Sequence, residues 1–196
     1  MSGTSEILTT QVDLPGLMKV LGNNLYSTPS VAIRELVQNA HDSCVRRQVE
    51  DSEPFESQIL VCPDPVRHRL IIEDTGAGLT RDEIVSYLAT VGTGYTGKMR
   101  DQDRSDELIG YFGLGFLSAF FVSVKVELIT TSYQSPDQTW VFTSTGGERY
   151  HVADGAQRPV GTRVVLHLNE RFRPLGDPEV VEQLLRRYCC LLPLPI

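Results

Sequence analysis

The chain lacks several features that define whole classes of protein. No apolar run approaches the roughly 20 residues that a membrane-spanning helix needs. The stretch Met1–Glu6 has neither the basic nor the apolar region of a secretory signal. Basic residues are in the minority, with 18 Lys and Arg against 25 Asp and Glu and a formal net charge of −7. We therefore expect neither a membrane nor a nucleic acid among the partners.

Cysteine is also scarce. The four cysteines lack the CxxC spacing of zinc sites, and the neighbouring pair at 189 and 190 is a poor disulfide candidate. We expect buried free thiols in a reducing compartment. Without a targeting signal, and with an acidic balance, the expected location by default is the cytoplasm.

The composition that remains is that of an ordinary globular protein. The 196 residues are 41% apolar and 22% charged, which is most simply one domain with a real core. Helical and extended patterns alternate along the chain, and they predict an α/β two-layer sandwich: a mixed, mostly antiparallel sheet with helices on one face. The predicted helices are 15–22, 29–49, 80–89, 116–122 and 178–187, and the predicted strands are 58–62, 69–73, 123–131, 138–144, 148–153 and 161–168.

Three polar residues recur along the second predicted helix. Glu35, Asn39 and Asp42 stand at i, i+4 and i+7, so they project from one face. A neutral amide oxygen beside phosphates suits Mg²⁺, which makes Asn39 a candidate ligand. Glu35, one turn earlier, is placed to orient or deprotonate a water near a γ-phosphate. The alternative is that all three are solvated residues of a surface helix.

A second motif follows the apolar strand Leu70–Ile72. Asp74 ends the strand and is followed by two glycines, and Leu79 comes next. A carboxylate there can accept a hydrogen bond from a purine amino group, Gly78 allows close approach of backbone, and Leu79 can pack on the ring. An Asp-Thr-Gly turn that stabilises only its own backbone is the alternative.

A glycine cluster at 110–116 precedes the short apolar helix. Free amides at a helix N-terminus favour phosphate, although tight loop packing explains the same glycines and the Lys-Ser/Thr of a Walker A loop is missing. Thr162 opens the last predicted strand. Its hydroxyl can reach a base, or Asp74 through water, or it is simply a strand residue.

Taken in order, these motifs resemble the nucleotide-binding fold shared by gyrase-type topoisomerases, 90-kDa heat-shock chaperones, sensor histidine kinases and MutL-type ATPases. The stretches 34–43, 74–78, 109–120 and 161–162 are most similar to the chaperone, and the run Phe-Gly-Leu-Gly-Phe-Leu-Ser at 112–118 is the most specific. The resemblance spans about residues 7–196 and suggests a divergent bacterial member with a Bergerat-type ATP-binding domain.

The resemblance implies roles for individual residues. Glu35 activates the hydrolytic water, Asn39 ligates Mg²⁺, and Asp74 binds the adenine amino group with help from Gly78 and Thr162. Asp42 and Leu79 line the nucleotide site, and phosphate is held by the amides of the loop Gly113, Leu114, Gly115 and Phe116. The cofactors are ATP or ADP and Mg²⁺.

The same resemblance implies a lid at about 92–110 that closes over nucleotide, in a homodimer that clamps protein clients. The lid departs from the family pattern, since Tyr87 replaces an Asn and the usual phosphate-contacting lysine is missing; Lys98 is the candidate substitute. We expect an ATP-binding domain at 1–170, followed by an exit helix and linker at 171–196 that lead to middle and C-terminal domains. We also expect the 196 residues alone to hydrolyse ATP slowly.

Two other functions remain open at this stage. One is an ATPase of the same fold in a different architecture, of mismatch-repair or defence type. The other is a module that senses nucleotide without hydrolysing it. A kinase is least favoured, because no phospho-acceptor histidine helix precedes the domain.

Overall fold

The computed structural model describes residues 29–88, 115–146, 149–192 and 196. Two predicted features, the helix at 15–22 and the lid at 92–110, lie outside these residues. Within the described part of the chain, no helix combines the length and the apolar character needed to cross a membrane.

Six strands form one sheet in the spatial order β1-β2-β6-β3-β4-β5, and each neighbouring pair is antiparallel. The predicted sheet was mixed and mostly antiparallel, and the observed sheet has only antiparallel neighbours. Its central strands β6 and β3 are long because both carry β-branched and aliphatic residues at the buried positions. The strands are β1 Ile59–Asp64, β2 Arg69–Asp74, β3 Ser123–Thr131, β4 Thr139–Thr145, β5 Arg149–Asp154 and β6 Gly161–Leu168.

The helices cover one face of this sheet. The long helix α1 (Pro29–Glu50) begins with proline, whose fixed φ suits the first turn. The one-turn helix α2 (Arg81–Glu83) begins at the predicted capping box and continues as a π-helix, Ile84–Leu88. A 3-10 turn, Gly115–Leu117, leads into α3 (Ser118–Val122). The 3-10 helix Glu170–Gly176 precedes α4 (Pro178–Tyr188), which Asp177 caps.

The core lies between the helices and the inward face of the sheet. Ile33 and Val37 of α1 are fully buried against the alternate strand residues Leu70, Ile72 and Leu166. Burying such side chains stabilises a fold by about 1.5–3 kcal/mol each, so these inward-facing residues favour the observed register of the central strands. This register places Asp74 opposite Thr162, and Thr162 opposite Thr130.

Most element predictions agree with the structure, and three need correction. Strand β1 ends two residues later than predicted, since Pro63 and Asp64 are still paired with β2, and the turn therefore begins after Asp64. The 3-10 helix at 170–176 was not predicted. Not all cysteines are buried: Cys44 and Cys189 are, whereas Cys62 and Cys190 are exposed, and all four are free thiols.

Candidate functional site

Helix α1 carries the first cluster of predicted site residues. Glu35 and Asn39 stand one turn apart, and the Asn39 side chain is exposed while Glu35 is half-buried. Arg34, the preceding residue, donates from Nη2 to Oε1 of Glu35 at 2.9 Å. This ion pair orients the carboxylate and leaves its other oxygen, Oε2, for contacts elsewhere.

Gly115, the last glycine of the predicted cluster, meets this part of α1. A Cβ placed on Gly115 would lie 3.0 Å from Oε2 of Glu35 and 3.5 Å from both amide atoms of Asn39. The backbone at Gly115 is thus in close contact with both side chains, and a larger residue would push into them. The structure therefore brings a predicted phosphate-loop residue together with the predicted base and the predicted metal ligand.

Asp74 forms the second cluster, at the end of β2. Its side chain is 8% exposed, and Oδ1 accepts hydrogen bonds from the Ser43 hydroxyl at 3.1 Å and from the Gly76 amide at 2.8 Å. Burial raises the pKa of this carboxyl to about 7, although the hydrogen bonds from Gly76, Ser43 and the Thr162 amide oppose the rise. A buried carboxyl with a pKa displaced toward neutrality is typical of a functional site.

The turn after Asp74 lies against strand β3. Gly78 has φ +64°, and a Cβ there would lie 2.0 Å from the Thr131 carbonyl oxygen, so only glycine fits. The next amide, of Leu79, donates to Oγ1 of Thr130 at 2.9 Å, and that hydroxyl lies 3.0 Å from Oγ1 of Thr162. Two threonine hydroxyls and a partly buried Leu79 thus surround the predicted base site.

Two further predicted residues, Asp42 and Phe116, are in contact with neighbouring side chains. Asp42 is 5% exposed and lies 3.3 Å from Nδ1 of the equally buried His41, so the alternative of a solvated Asp42 is wrong. Phe116 packs its ring edge-on against Phe120 and Phe142, in the core. Its side chain is therefore structural, and only its backbone remains a candidate for phosphate. The predictions for Lys98, Gly113 and Leu114 fall outside the described residues.

Sequence reasoning missed Ser43, Thr130 and Arg46. Ser43 continues the Glu35–Asn39 spacing by another four residues, a signal that was available. Thr130 is one of many strand threonines, and only the fold brings it to the site. Arg46 is buried; Nη2 contacts Oε1 of Glu83 at 2.5 Å, and Nε donates to Glu50 at 2.9 Å. It joins α1 to the capping box that precedes the predicted lid.

Acidic, histidine and cysteine side chains do not cluster as a metal site anywhere in the described ranges. A magnesium ion here would therefore rely on the Asn39 amide, water and phosphate oxygens. That donor set suits Mg²⁺, which usually keeps several waters and takes few protein ligands.

Comparisons with known proteins agree with this geometry. A family model described as "Histidine kinase-, DNA gyrase B-, and HSP90-like ATPase" matches residues 26–154. The chain therefore belongs to this ATPase family. The match confirms the prediction of an α/β nucleotide-binding ATPase domain.

The relatives are chaperones by name. Chaperone protein HtpG of Azorhizobium caulinodans is 34% identical over 97% of this chain and 32% of its own length. Chaperone protein HtpG of Nitrobacter winogradskyi is 32% identical over 100% of this chain and 33% of its own. The endoplasmin homolog of Dictyostelium discoideum is 32% identical over 97% and 27%. The chain thus spans about a third of the length of these relatives, which agrees with the resemblance to the 90-kDa heat-shock type.

Proposed function

We propose that the face of α1 between Glu35 and Ser43, closed by the turn after β2, binds Mg²⁺–ATP and hydrolyses it. One observation carries the proposal: one helix face meets Gly115 at one end and the buried carboxyl of Asp74 at the other. Eight residues separate Glu35 from Ser43, or about 12 Å along the helix axis. The site is therefore elongated, with a polar end for phosphates and a partly apolar end for a base.

At the base end, Asp74 accepts a hydrogen bond from the adenine amino group. The Thr162 hydroxyl and the turn at Gly78 flank the ring, and Leu79 packs beside it. Because these groups are largely buried, a base with the wrong pattern of donors and acceptors leaves a polar atom unpaired, which disfavours it strongly.

At the phosphate end, Asn39 is the protein ligand of Mg²⁺, and the ion, when bound, offsets the charge that develops on the transferred phosphoryl group. Glu35 orients the attacking water and accepts its proton, with Arg34 holding the carboxylate in place. The amides of 113–116 hold phosphate, and Lys98 and the lid at 92–110 complete the site. Asp42 supports the nucleotide site through its buried contact with His41.

For the whole protein we propose a chaperone of the 90-kDa heat-shock type. The relatives' printed names support the chaperone part of this proposal. We further propose that this domain precedes middle and C-terminal domains in a homodimer that acts on partly folded client proteins in the cytoplasm. The boundary between the ATP-binding domain at 1–170 and the exit segment at 171–196 belongs to the same proposal. Helix α4 packs on the core through Val181, so the exit segment begins attached to the domain.

Glu35→Gln tests the catalytic part of the proposal. Calorimetry with ADP and Mg²⁺ measures binding, and single-turnover hydrolysis of labelled ATP measures chemistry. We expect ADP affinity within about threefold of wild type and a hydrolysis rate at least about 100-fold lower, because removing a general base typically costs 10²–10⁴-fold. The matched control is Glu182→Gln, on the exposed side of α4, which should change neither quantity.

Two results would contradict this assignment. Hydrolysis that survives Glu35→Gln would give Glu35 a structural role. ADP binding by a wild-type chain with no measurable hydrolysis would favour the alternative of a nucleotide-sensing module.

A further inference from the structure

Two protein donors converge on a single oxygen of the Asp74 carboxyl. The Ser43 hydroxyl lies 3.1 Å from Oδ1 and the Gly76 amide nitrogen 2.8 Å from the same atom. A carboxylate oxygen has two lone-pair sites, so these donors occupy Oδ1. A hydrogen-bond donor on a ligand is thereby directed to the other oxygen, Oδ2.

Ser43 is itself held firmly. A Cβ on Gly76 would lie 2.2 Å from the Ser43 hydroxyl oxygen and 2.5 Å from the Ser43 carbonyl carbon, so the loop backbone lies directly on this residue. The Ala77 amide donates to the Ser43 carbonyl at 2.9 Å. The loop backbone therefore packs directly against Ser43 and holds this residue beside Asp74.

Hydrogen bonds, and not cations, favour the charged form of this carboxyl. Glu73, on the same strand, opposes ionisation. The Cys44 thiol on α1 stays protonated, since burial raises its pKa to about 12. Arg47 directs its guanidinium to the Thr75 carbonyl and to Asp51. The donors that stabilise the carboxylate are the Gly76 amide, the Ser43 hydroxyl and the Thr162 amide.

We propose that Ser43 is the specificity-determining residue of the base site, because its hydroxyl favours the anionic form of Asp74 and, together with the Gly76 amide, occupies Oδ1 so that a ligand is directed to Oδ2. An anion only accepts hydrogen bonds, so it selects a base with an amino group at the 6-position. A neutral carboxyl can also donate, and would tolerate a carbonyl oxygen at that position. The proposal rests on the proposed function, namely adenine nucleotide binding at Asp74.

The first test compares ADP with inosine diphosphate by calorimetry between pH 6 and pH 9. In the wild type, ADP affinity should be constant above about pH 8 and fall below about pH 7, as the proton competes for the carboxylate. Ser43→Ala removes one donor from the charged form. Its ADP affinity should begin to fall about one pH unit higher, and its preference for ADP over inosine diphosphate at pH 7.5 should drop about tenfold.

The matched control is Ser123→Ala. Ser123 is equally a buried hydroxyl, hydrogen-bonded at 2.6 Å to the Ala119 carbonyl, at the opposite end of β3 from Thr130. This variant should keep the wild-type pH profile and base preference. A control that shifts as Ser43→Ala does would mean that general loosening is the cause, and would overturn the proposal.

Asp74→Asn provides an independent test of the geometry. If the Ser43 and Gly76 donors hold the amide oxygen at the Oδ1 position, the amide nitrogen faces the base as a donor. The variant should lose ADP binding and bind inosine diphosphate more tightly than ADP.

The possible outcomes separate the two proposals. If the wild type binds ADP and Ser43→Ala keeps its pH profile and base preference, the role of Ser43 is overturned and the proposed function stands. The same holds if Asp74→Asn does not invert the preference between ADP and inosine diphosphate. A wild-type chain that binds no ADP between pH 6 and pH 9 would overturn the proposed function, and the role of Ser43 with it.

Discussion

The buried carboxyl of Asp74 should cost the protein stability, and Asp74→Asn should recover part of it. Burial raises the pKa from 3.8 to about 7, so the folded state holds this proton more tightly than the unfolded state does. The carboxyl therefore destabilises the fold progressively as pH rises from about 4 to 7. A pKa difference of about three corresponds to about 4 kcal/mol above pH 7.

Asparagine keeps the shape of the side chain and an oxygen to accept from Ser43 and Gly76, but it has no charge to bury. An unpaired amide N–H₂ would cost about 1–3 kcal/mol, and this cost does not vary with pH. The diagnostic quantity is therefore the pH dependence of the stability difference between variant and wild type. The unfolding free energy of the variant minus that of the wild type should increase by about 2–3 kcal/mol between pH 5 and pH 8.

Urea unfolding of nucleotide-free protein at pH 5, 6, 7 and 8 measures this difference, since other titrating groups cancel between the two proteins. Asp64→Asn is the control, because Arg69 and the Arg67 amide lower the pKa of the Asp64 carboxyl to about 2. Asp64 is thus ionised in both states throughout this range, and its stability difference should not change with pH. A flat difference for Asp74→Asn as well would refute the reasoning that burial dominates at Asp74.

Two further predictions concern the elements around the site. Gly78→Ala should destabilise the fold by at least about 2 kcal/mol in thermal unfolding, because the new Cβ meets the Thr131 carbonyl. The control Gly146→Ala has φ +73° but open space around the new Cβ, and it should cost only about 1 kcal/mol. Equal costs for the two variants would contradict the close contact at Gly78. Arg46→Ala should lower the free energy of unfolding in urea by about 3–5 kcal/mol, because Glu50 and Glu83 lose a buried partner. Arg186→Ala, at an exposed ion pair, should change it by no more than about 0.5 kcal/mol. Similar losses in the two variants would mean that the Arg46 network contributes little.

The sequence predicted the fold well where local signals and burial agree. In β3 apolar and charged residues alternate from Val124 to Leu128, β6 carries the apolar run Val164–Leu166, and proline opens α1, so the residue pattern indicates each element. The 3-10 helix at 170–176 carries neither signal clearly. Its proline and two arginines read as a loop, and what holds it is the burial of Phe172 and Leu175 in the core.

The candidate site was predictable where its residues share one element. Glu35, Asn39 and Asp42 follow from helical spacing alone. Contacts between elements were not predictable: the approach of Gly115 to Glu35 depends on how α1 packs against the turn before α3, and the pairing of Thr130 with Thr162 depends on a register set by distant apolar residues. Arg34 is 43% exposed, and its long side chain reaches back to its sequence neighbour Glu35, a contact that helical spacing does not predict.

The position of Ser43 explains why a single helix can serve both ends of the site. Its hydroxyl reaches Asp74 and its carbonyl receives the Ala77 amide, so the loop after β2 is fastened to α1 at the same residue that orients the carboxyl. One and two turns earlier, Asn39 and Glu35 meet Gly115 from the same rigid element. Any shift of α1 along its axis would move the base contacts and the phosphate contacts together, so the spacing between them is set by helical geometry. Arg46, about one turn beyond Ser43 and buried between Glu50 and Glu83, extends that rigidity to the capping box from which the chain leaves toward 92–110.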